Sequence, residues 1–231
     1  QAIRDTKANL QSATVTWGTG SCRLARNRDL VLDGETFLCG INPEAESDDT
    51  LLVARITDAG DRVIGTMVNY ACHPVSLGGG NKLISPDYIG GLREIVERET
   101  GAPCIFLHGA SGDLTPLRSY ESDAEIADRN GRQIGYAAMS VLTGLLPPQH
   151  VLAFDRIEES GAKLARWSPR HRAASTRLTV TRAETDLPYA DLPSEAEILA
   201  DLERCTERYQ RERLERRLMI RRDLGAGKER R

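Results

Sequence analysis

The chain has 231 residues, of which 40% are hydrophobic and 28% are charged, so it is long enough for one sizeable core or for one domain with an appendage. Its formal net charge of −3 at pH 7 argues against general nucleic-acid binding. No apolar run approaches the length of a transmembrane segment, and no signal peptide is visible at Gln1, so the localisation stays open.

The first half of the chain predicts a hairpin. Residues 27–50 are expected to be rich in loops and contain an acidic run. Residues 51–56 are apolar and predict a strand, and the turn residues at 58–61 lead into a second apolar stretch at 63–71. Two strands joined by so short a turn should pair antiparallel.

The next segment predicts a strand, a helix and a second strand. Residues 63–71 and 104–107 are short apolar runs, typical of strands that are covered on both faces. Between them, apolar residues recur at helical spacing, at Ile89, Leu92, Ile95 and Val96. Asp87 is placed to cap this helix and Gly101 to end it. Such a unit has parallel strands and a right-handed crossover, so the sheet should be mixed.

Two residues that precede prolines follow these strands, His73 before Pro74 and Thr115 before Pro116. Proline bars the preceding residue from the helical region, so both residues should be extended. Parallel strands end at the same edge of a sheet, where open α/β sheets usually bind ligands. We therefore expect His73 and Thr115 to lie on loops at one edge, close enough to share a bound ligand.

The loop at residues 109–113, Gly-Ala-Ser-Gly-Asp, has two interpretations. Two glycines flanking small residues can turn successive backbone N–H groups toward an anion or an oxyanion. A plain strand-to-helix turn also requires glycine, so both interpretations stay open.

Three segments taken in order resemble a known enzyme family. They are residues 69–74 (Asn-Tyr-Ala-Cys-His-Pro), 83–88 (Leu-Ile-Ser-Pro-Asp-Tyr) and 109–116 (Gly-Ala-Ser-Gly-Asp-Leu-Thr-Pro). Together they resemble the N-terminal catalytic domain of the neutral/alkaline non-lysosomal ceramidases, and more closely the bacterial proteins of that superfamily. The Asn-Arg-Asp at residues 27–29 matches an Asn-Arg element of the family, and the resemblance spans roughly residues 15–145.

The resemblance implies a zinc hydrolase that cleaves the amide of an N-acylated sphingoid base or a related amide. It implies that His73 is a zinc ligand. Thr115 stands where the family has a serine near the scissile amide, and Arg28 stands where it has an arginine facing the substrate. Threonine keeps the hydroxyl but adds a methyl group, so a nucleophilic or hydrogen-bonding role requires room.

Four further residues are candidates for binding substrate or for supporting the groups that do: Asp113, Gly112, Asp87 and His108. Asp113 could ligate a metal, orient a histidine or close an Asx-turn. Asp87 could cap the helix or hold a metal ligand in place. His108 stands where we expect glutamine in the family, so no ligand role is transferred to it.

The three main candidates also have plainer interpretations. His73 could simply end a strand and bond to a neighbouring loop, and Thr115 could be a turn residue. Arg28 lies near Arg23 and Arg26 and could belong to a solvated basic loop. Only the family resemblance separates it from them.

The family's other zinc ligands come from an upstream His-x-His element and from a downstream Glu and Tyr, and only His73 of the ligand set matches here. A catalytic zinc is held by about three protein ligands. We therefore expect the remaining ligands to lie outside this chain, which would be part of a longer enzyme and inactive alone.

The five cysteines show no metal-binding spacing, and their odd number does not suggest a complete disulfide framework. Cys72 and Cys104 lie in the apolar strands and are predicted to be buried thiols. A Cys72 nucleophile beside His73 is conceivable, but neighbouring residues of a strand point to opposite faces.

The second half of the chain predicts more helix and strand. Residues 128–146 predict a helix, and residues 151–158 and 176–184 predict strands joined by a basic stretch with Trp167 and His171. A capping box of Ser194 and Glu197 should begin a long helix whose apolar stripe contains Ile198, Leu202, Cys205 and Tyr209.

The sequence therefore predicts an α/β fold: a mixed β-sheet flanked by helices with at least one right-handed βαβ unit, plus a long charged C-terminal helix. Residues 1–190 would form a partial ceramidase-like catalytic domain, and residues 191–231 a charged amphipathic helix and tail of the same domain.

Two hypotheses for function follow. The first is a zinc-dependent amide hydrolase acting on a small-molecule or lipid amide, with no nucleic-acid partner and no transmembrane segment. The alternative is a metal-less remnant of the same fold that serves as a binding or structural domain.

Overall fold

The computed structural model describes residues 2–32, 34, 36–177, 179–186 and 192–225. The chain forms two compact units, residues 1–176 and residues 177–231, and each is described by itself. The elements of the first unit are α1 (Ala2–Ala8), β1 (Thr14–Ser21), β2 (Ala25–Asn27), β3 (Asp29–Leu32), β4 (Thr36–Cys39), β5 (Thr50–Thr57), β6 (Val63–Tyr70), α2 (Tyr88–Thr100), β7 (Cys104–His108), β8 (Leu114–Pro116), α3 (Ala124–Gly144), β9 (His150–Glu159) and β10 (Lys163–His171). The second unit contains α4 (Glu195–Arg204) and α5 (Arg208–Gly225).

A four-stranded mixed sheet with the strand order β1-β5-β6-β7 lies at the centre of the first unit. Strand β5 pairs antiparallel with both β1 and β6, whereas β6 and β7 are parallel and are connected through α2. The predicted hairpin, the strand-helix-strand unit and the mixed sheet are therefore confirmed.

The ends of α2 follow the expected local chemistry. The Asp87 side chain accepts a hydrogen bond from the backbone N–H of Tyr88 at the first turn. Gly101 ends the helix in the left-handed conformation with φ 65°, and its N–H donates to the carbonyl of Glu97 at 2.9 Å. Glycine adopts this conformation without a steric penalty, which explains why the helix ends there.

The main core lies between one face of the sheet and the helices α2 and α3. It contains buried side chains from β5 and β6 (Leu51, Val53, Val68, Tyr70), from α2 (Leu92, Val96) and from α3 (Ile134, Ala138, Leu142). The other face of the sheet carries exposed apolar side chains, Trp17, Leu52, Ile105 and Leu107. Only one face of the sheet is thus covered within the part of the chain that is described.

Helices α2 and α3 meet backbone to backbone at glycines. A Cβ atom on Gly131 would overlap the carbonyl oxygen of Tyr88 and would lie 2.8 Å from the Cα of Gly91. A Cβ atom on Gly135 would lie 2.9 Å from the Cβ of Ile95. No side chain fits at these points, so the glycines set the distance between the two helices.

Gly131→Ala should therefore destabilise the protein by on the order of 2 kcal/mol, because the added methyl group has no room against the backbone of α2. Gly144→Ala, at the end of the same helix, is the matched control: its added Cβ meets no atom within 4 Å, so stability should stay equal or rise slightly. Urea unfolding followed by circular dichroism measures both variants. Equal stabilities for the two would contradict this account of the helix crossing.

Several boundaries differ from the prediction in the first 150 residues. Strand β1 was not predicted, although its exposure alternates along its length. Residues 27–50 contain the short strands β3 and β4 in addition to loops. Helix α3 begins at Ala124 rather than at residue 128, because the side chain of Asp123 caps it by accepting from the N–H of Glu125.

The predicted strand at residues 176–184 is wrong, since the described residues of this range form no strand. Strand β9 pairs with β10, which lies in the basic stretch that was expected to be a connection. The two strands turn at Gly161, which has φ 69°. Phe154 packs edge-on against Trp167 at 6.0 Å between ring centroids, and Arg166 pairs with Glu158, so charge and aromatic pairs across the strands stabilise the hairpin.

The second unit contains two helices instead of the predicted single long helix. The capping box of Ser194 and Glu197 is confirmed at the start of α4. The helix ends at Arg204, because Cys205 is extended (ψ 118°) and the guanidinium of Arg211 donates to the carbonyls of Leu202 and Cys205. Tyr209 therefore lies on α5, not on the stripe of α4. Helices long and apolar enough to cross a bilayer are absent from the described residues.

Candidate functional site

The strands β6 and β7 end side by side, with Tyr70 opposite His108. The two chain segments that follow these strands stay close to each other. The N–H of Gly109 donates to the carbonyl of Tyr70 at 3.0 Å, and a Cβ on Gly109 would lie 3.1 Å from that of Ala71. Glycine at position 109 thus lets the two chain segments leave the sheet together. The loops that follow carry most of the candidate residues.

His73 and Thr115 belong to segments that are in contact at this edge. The backbone N–H of His73 donates to the carbonyl of Leu114 at 3.1 Å, so the two loops run next to each other. Thr115 does not lie on a loop as expected: it is in the short strand β8, opposite Arg26 of β2. This pairing attaches the second loop to the segment that also carries Arg28.

The loop after His73 is held by the connection between β8 and α3. The N–H of Tyr120 donates to the carbonyl of Val75 at 2.8 Å, and the N–H of Glu121 donates to the carbonyl of Ser76 at 2.9 Å. The side-chain amide of Asn130, on α3, donates to the hydroxyl of Ser76 at 2.9 Å. These three bonds fix two consecutive residues, Val75 and Ser76, immediately beyond His73.

Asp87 joins this loop to the start of α2. Its carboxylate accepts hydrogen bonds from three backbone N–H groups, those of Ser76 (3.2 Å), Leu77 (3.0 Å) and Tyr88 (2.7 Å). The residue is buried and has φ 55° and ψ −150°, a conformation that is costly for a residue with a side chain. Asp87 is the predicted helix cap and, in addition, a support for the loop that carries His73.

Arg28 is brought into this cluster from far upstream. Its Nε donates to the carbonyl of Gly112 at 2.9 Å, and its backbone N–H donates to the carbonyl of Asp113 at 2.8 Å. Its Nη1 donates to the hydroxyl of Tyr120 at 3.3 Å, and that hydroxyl is 3.0 Å from the thiol of Cys39. The carbonyl of Gly112 therefore orients the guanidinium, and the carbonyl of Asp113 holds the backbone of Arg28 against the same loop.

The imidazole of His73 has an electrostatic environment that favours its neutral form. Burial lowers its pKa below the ordinary value of 6.5, and the charges of Arg28 and His108 act in the same direction. The rings of His73 and His108 are 6.0 Å apart between centroids. A neutral imidazole at neutral pH is the form that binds a metal ion or accepts a proton.

The hydroxyl of Thr115 is buried without a partner. The residue is 0% exposed, and its Oγ1 has no hydrogen-bond partner among the residues that the structure describes. Leaving such a group unsatisfied costs about 1–3 kcal/mol, so an unpaired hydroxyl in a native structure calls for an explanation.

His108 and Ser111 form a pair that the sequence analysis did not identify. The Oγ of Ser111 is 2.6 Å from the Nε2 of His108, three residues earlier in the chain. Tyr120 and Cys39 were also missed. The positive φ of Tyr120 (61°) marks a strained backbone position, but nothing in its sequence neighbourhood indicates it.

Cys72 does not act as a nucleophile in this structure. It is fully buried, and burial raises the pKa of its thiol well above the usual range, so the reactive thiolate is not formed at neutral pH. Cys104 is buried as well, so the prediction of two buried thiols is confirmed.

The described residues alone do not complete a zinc site. No three His, Cys, Asp or Glu side chains within the described ranges are grouped so that they could hold a metal ion. His73 and His108 are neighbours, but two imidazoles fall short of the three or so protein ligands that hold a catalytic zinc.

Comparison with known proteins relates the fold to the ceramidases. The chain matches no family model and no curated protein sequence. Among solved structures it resembles the neutral ceramidase from Pseudomonas aeruginosa, at 23% identity and a TM-score of 0.50 over 62% of this chain and 24% of that one. It also resembles a ceramidase complexed with C2, at 22% identity and a TM-score of 0.50 over 61% of this chain and 24% of that one.

These comparisons establish a ceramidase-like fold over about 62% of the chain. The chain spans about a quarter of the length of the two ceramidases that it resembles. The activity and substrates of a whole ceramidase are therefore a matter of proposal for this chain.

The pKa of His73 offers a direct test of the site's geometry. In the metal-free protein it should lie below 6.5, so the stability that depends on neutral His73 is present above pH 6.5 and is lost as the pH falls toward the folded-state pKa. Arg28→Gln should raise this pKa part of the way back, because it removes one of the two positive charges. NMR titration of the imidazole signals measures the change.

Arg23→Gln is the control, since Arg23 belongs to the same basic segment but does not contribute to the shift at His73. If the pKa of His73 is the same in Arg28→Gln as in the unmodified protein, Arg28 is not beside His73. A pKa above 6.5 in the unmodified protein would lead to the same conclusion.

Proposed function

We propose that this chain forms part of a zinc-dependent amide hydrolase of the neutral ceramidase type, which cleaves the N-acyl linkage of N-acylsphingosine or a related amide. The observation that supports it best is the gathering of Arg28 and the segments carrying His73 and Thr115 at one sheet edge. These are the three residues that the family resemblance assigns to the reaction. They meet on a fold that ceramidases share.

Arg28 would stabilise the negative charge that develops on the carbonyl oxygen of the amide. Its guanidinium is oriented by the carbonyl of Gly112 and the hydroxyl of Tyr120, so it is held in place before a substrate arrives. Such preorganised donors contribute most when no reorganisation is needed during the reaction.

Thr115 would bind the amide carbonyl or attack it, and its unpaired hydroxyl supports this assignment. A substrate oxygen would satisfy the hydroxyl that is orphaned in the described part of the chain. His73 would be one ligand of the zinc that the resemblance implies. Its neutral form suits that role, but the ligand set in the described residues is incomplete, so no step is assigned to the metal.

One observation favours the alternative, a metal-less binding domain with the same fold. The described residues lack a three-ligand metal group, and Thr115 is fully buried. In that case the hydrogen bonds of the sheet-edge loops would have only a structural role, and these include the bonds of His73, Arg28 and Asp87.

An amidase assay with the product of the complete coding sequence separates these two functions. Hydrolysis of a fluorescent N-acylsphingosine should fall by roughly 10²–10³-fold in Arg28→Ala, the size expected for losing an oxyanion donor. His73→Ala should lose both activity and bound zinc, measured by metal analysis after dialysis. Arg23→Ala should behave like the unmodified protein.

The 231-residue chain alone should retain less than one zinc per molecule and should not hydrolyse the amide, because only His73 of the ligand set is matched. Full activity in His73→Ala would rule out His73 as a ligand of an essential zinc. No hydrolysis and no bound zinc in the unmodified complete protein would rule out the proposed function and favour the binding domain. Stoichiometric zinc in the 231-residue chain would show that the ligands have been placed on the wrong residues.

A further inference from the structure

The pair formed by Ser111 and His108 has the geometry of an activated nucleophile. The Oγ of Ser111 lies 2.6 Å from the Nε2 of His108, within the range of a short hydrogen bond between a hydroxyl and its base. The serine is 7% exposed, whereas the histidine is exposed at the sheet edge. Solvent and small molecules can therefore reach the histidine, which contacts the hydroxyl of Ser111.

The direction of this hydrogen bond follows from the chemistry of neutral imidazole. When Nδ1 of His108 carries the proton, Nε2 is an acceptor and the hydroxyl of Ser111 is the donor. This is the arrangement in which a histidine removes a proton from a serine that attacks a carbonyl group. Thr115 has no comparable base, because its hydroxyl has no hydrogen-bond partner in the described residues.

We propose that Ser111 is a catalytic nucleophile and that His108 is its general base, so that this chain accepts acyl groups from esters and amides on the hydroxyl of Ser111. Only the natural substrate of Ser111, an N-acyl amide, rests on the proposed function. Thr115 then binds the substrate and does not attack it.

The reaction balances with the groups present. The Oγ of Ser111 forms a bond to the carbonyl carbon while its proton passes to Nε2 of His108. The C–N bond then breaks, and the same proton goes to the departing amine. Water hydrolyses the resulting serine ester: His108 takes one proton from the water and returns it to the Oγ of Ser111, and the carboxylic acid leaves.

The backbone next to Ser111 would supply donors for the negative charge on the carbonyl oxygen. The N–H groups of Gly112 and Asp113 donate to no backbone carbonyl in the part of the chain that is described. In serine hydrolases the N–H of the residue after the nucleophile commonly stabilises this oxygen. The guanidinium of Arg28 is held against the carbonyl of Gly112, so its positive charge lies beside the same loop.

A purely structural role makes a different prediction. The turn at residues 111–114 is already closed by the N–H of Leu114, which donates to the carbonyl of Ser111 at 3.1 Å. If the contact with His108 merely tightens this turn, Ser111 has ordinary reactivity and its removal changes only stability.

A fluorophosphonate probe with a biotin tag tests the proposal on the 231-residue chain without ceramide or zinc. The Oγ of an activated serine bonds to phosphorus, fluoride leaves, and the hydroxyl proton passes to the histidine. Mass spectrometry should find the label on Ser111. Ser111→Ala should abolish labelling, and His108→Gln should slow it by roughly a hundredfold, the usual effect of losing a general base.

Ser122→Ala and His171→Gln are the controls and should label at the original rate. Both residues are exposed and belong to other segments, Ser122 before α3 and His171 at the end of β10. Circular dichroism of each variant checks that it remains folded. Label on Thr115, equal rates in the unmodified protein and His108→Gln, or no label on the unmodified folded chain would each overturn the proposal. Labelling of Ser111, combined with no ceramide hydrolysis by the product of the complete coding sequence, would retain the nucleophile and reject only the proposed substrate.

Discussion

The carboxylate of Asp87 is the group on which the sheet-edge site depends. It accepts from the N–H of Tyr88 at the start of α2 and from the N–H groups of Ser76 and Leu77 in the loop after β6. Asp87 is held at φ 55°, so these three bonds must offset the cost of its backbone conformation. One side chain thus fixes the loop of His73 to the start of α2, a helix that packs in the main core.

The other residues of the site connect to this loop through further hydrogen bonds. Ser76 also contacts Asn130 of α3, and the same loop pairs with the connection that carries Tyr120. Tyr120 in turn contacts Arg28, which approaches the loop of Ser111 through the carbonyl of Gly112. The guanidinium of Arg28, which should polarise a substrate, is therefore held by hydrogen bonds that connect to those of the His73 loop. Burial and positive charge then keep the imidazole of His73 neutral.

Local signals in the sequence account for the parts of the fold that were predicted. The caps Asp87 and Gly101, the helical spacing of apolar residues and the two apolar runs fix the strand-helix-strand unit, and parallel strands place their following loops at one edge. Contacts between distant segments carry no such signal. The partner of β9, the break between α4 and α5 and the role of Tyr120 depend on pairing that becomes visible only in three dimensions. For the site, Arg28 was predicted through family resemblance alone, and the contact of Ser111 with His108 was missed because a serine three residues after a histidine is unremarkable in a sequence.

Native-state amide hydrogen exchange in Asp87→Asn tests most directly whether this carboxylate organises the site. Asparagine tolerates a positive φ but has one acceptor oxygen instead of two, so the amides of Ser76 and Leu77 should exchange roughly tenfold faster or more while the interior of α2 stays protected. Asp123→Asn, at the other aspartate cap, should leave these two amides unchanged, since its side chain accepts from Glu125 on α3. Unchanged exchange of Ser76 and Leu77 in Asp87→Asn would show that the loop is held without the carboxylate and would contradict the account.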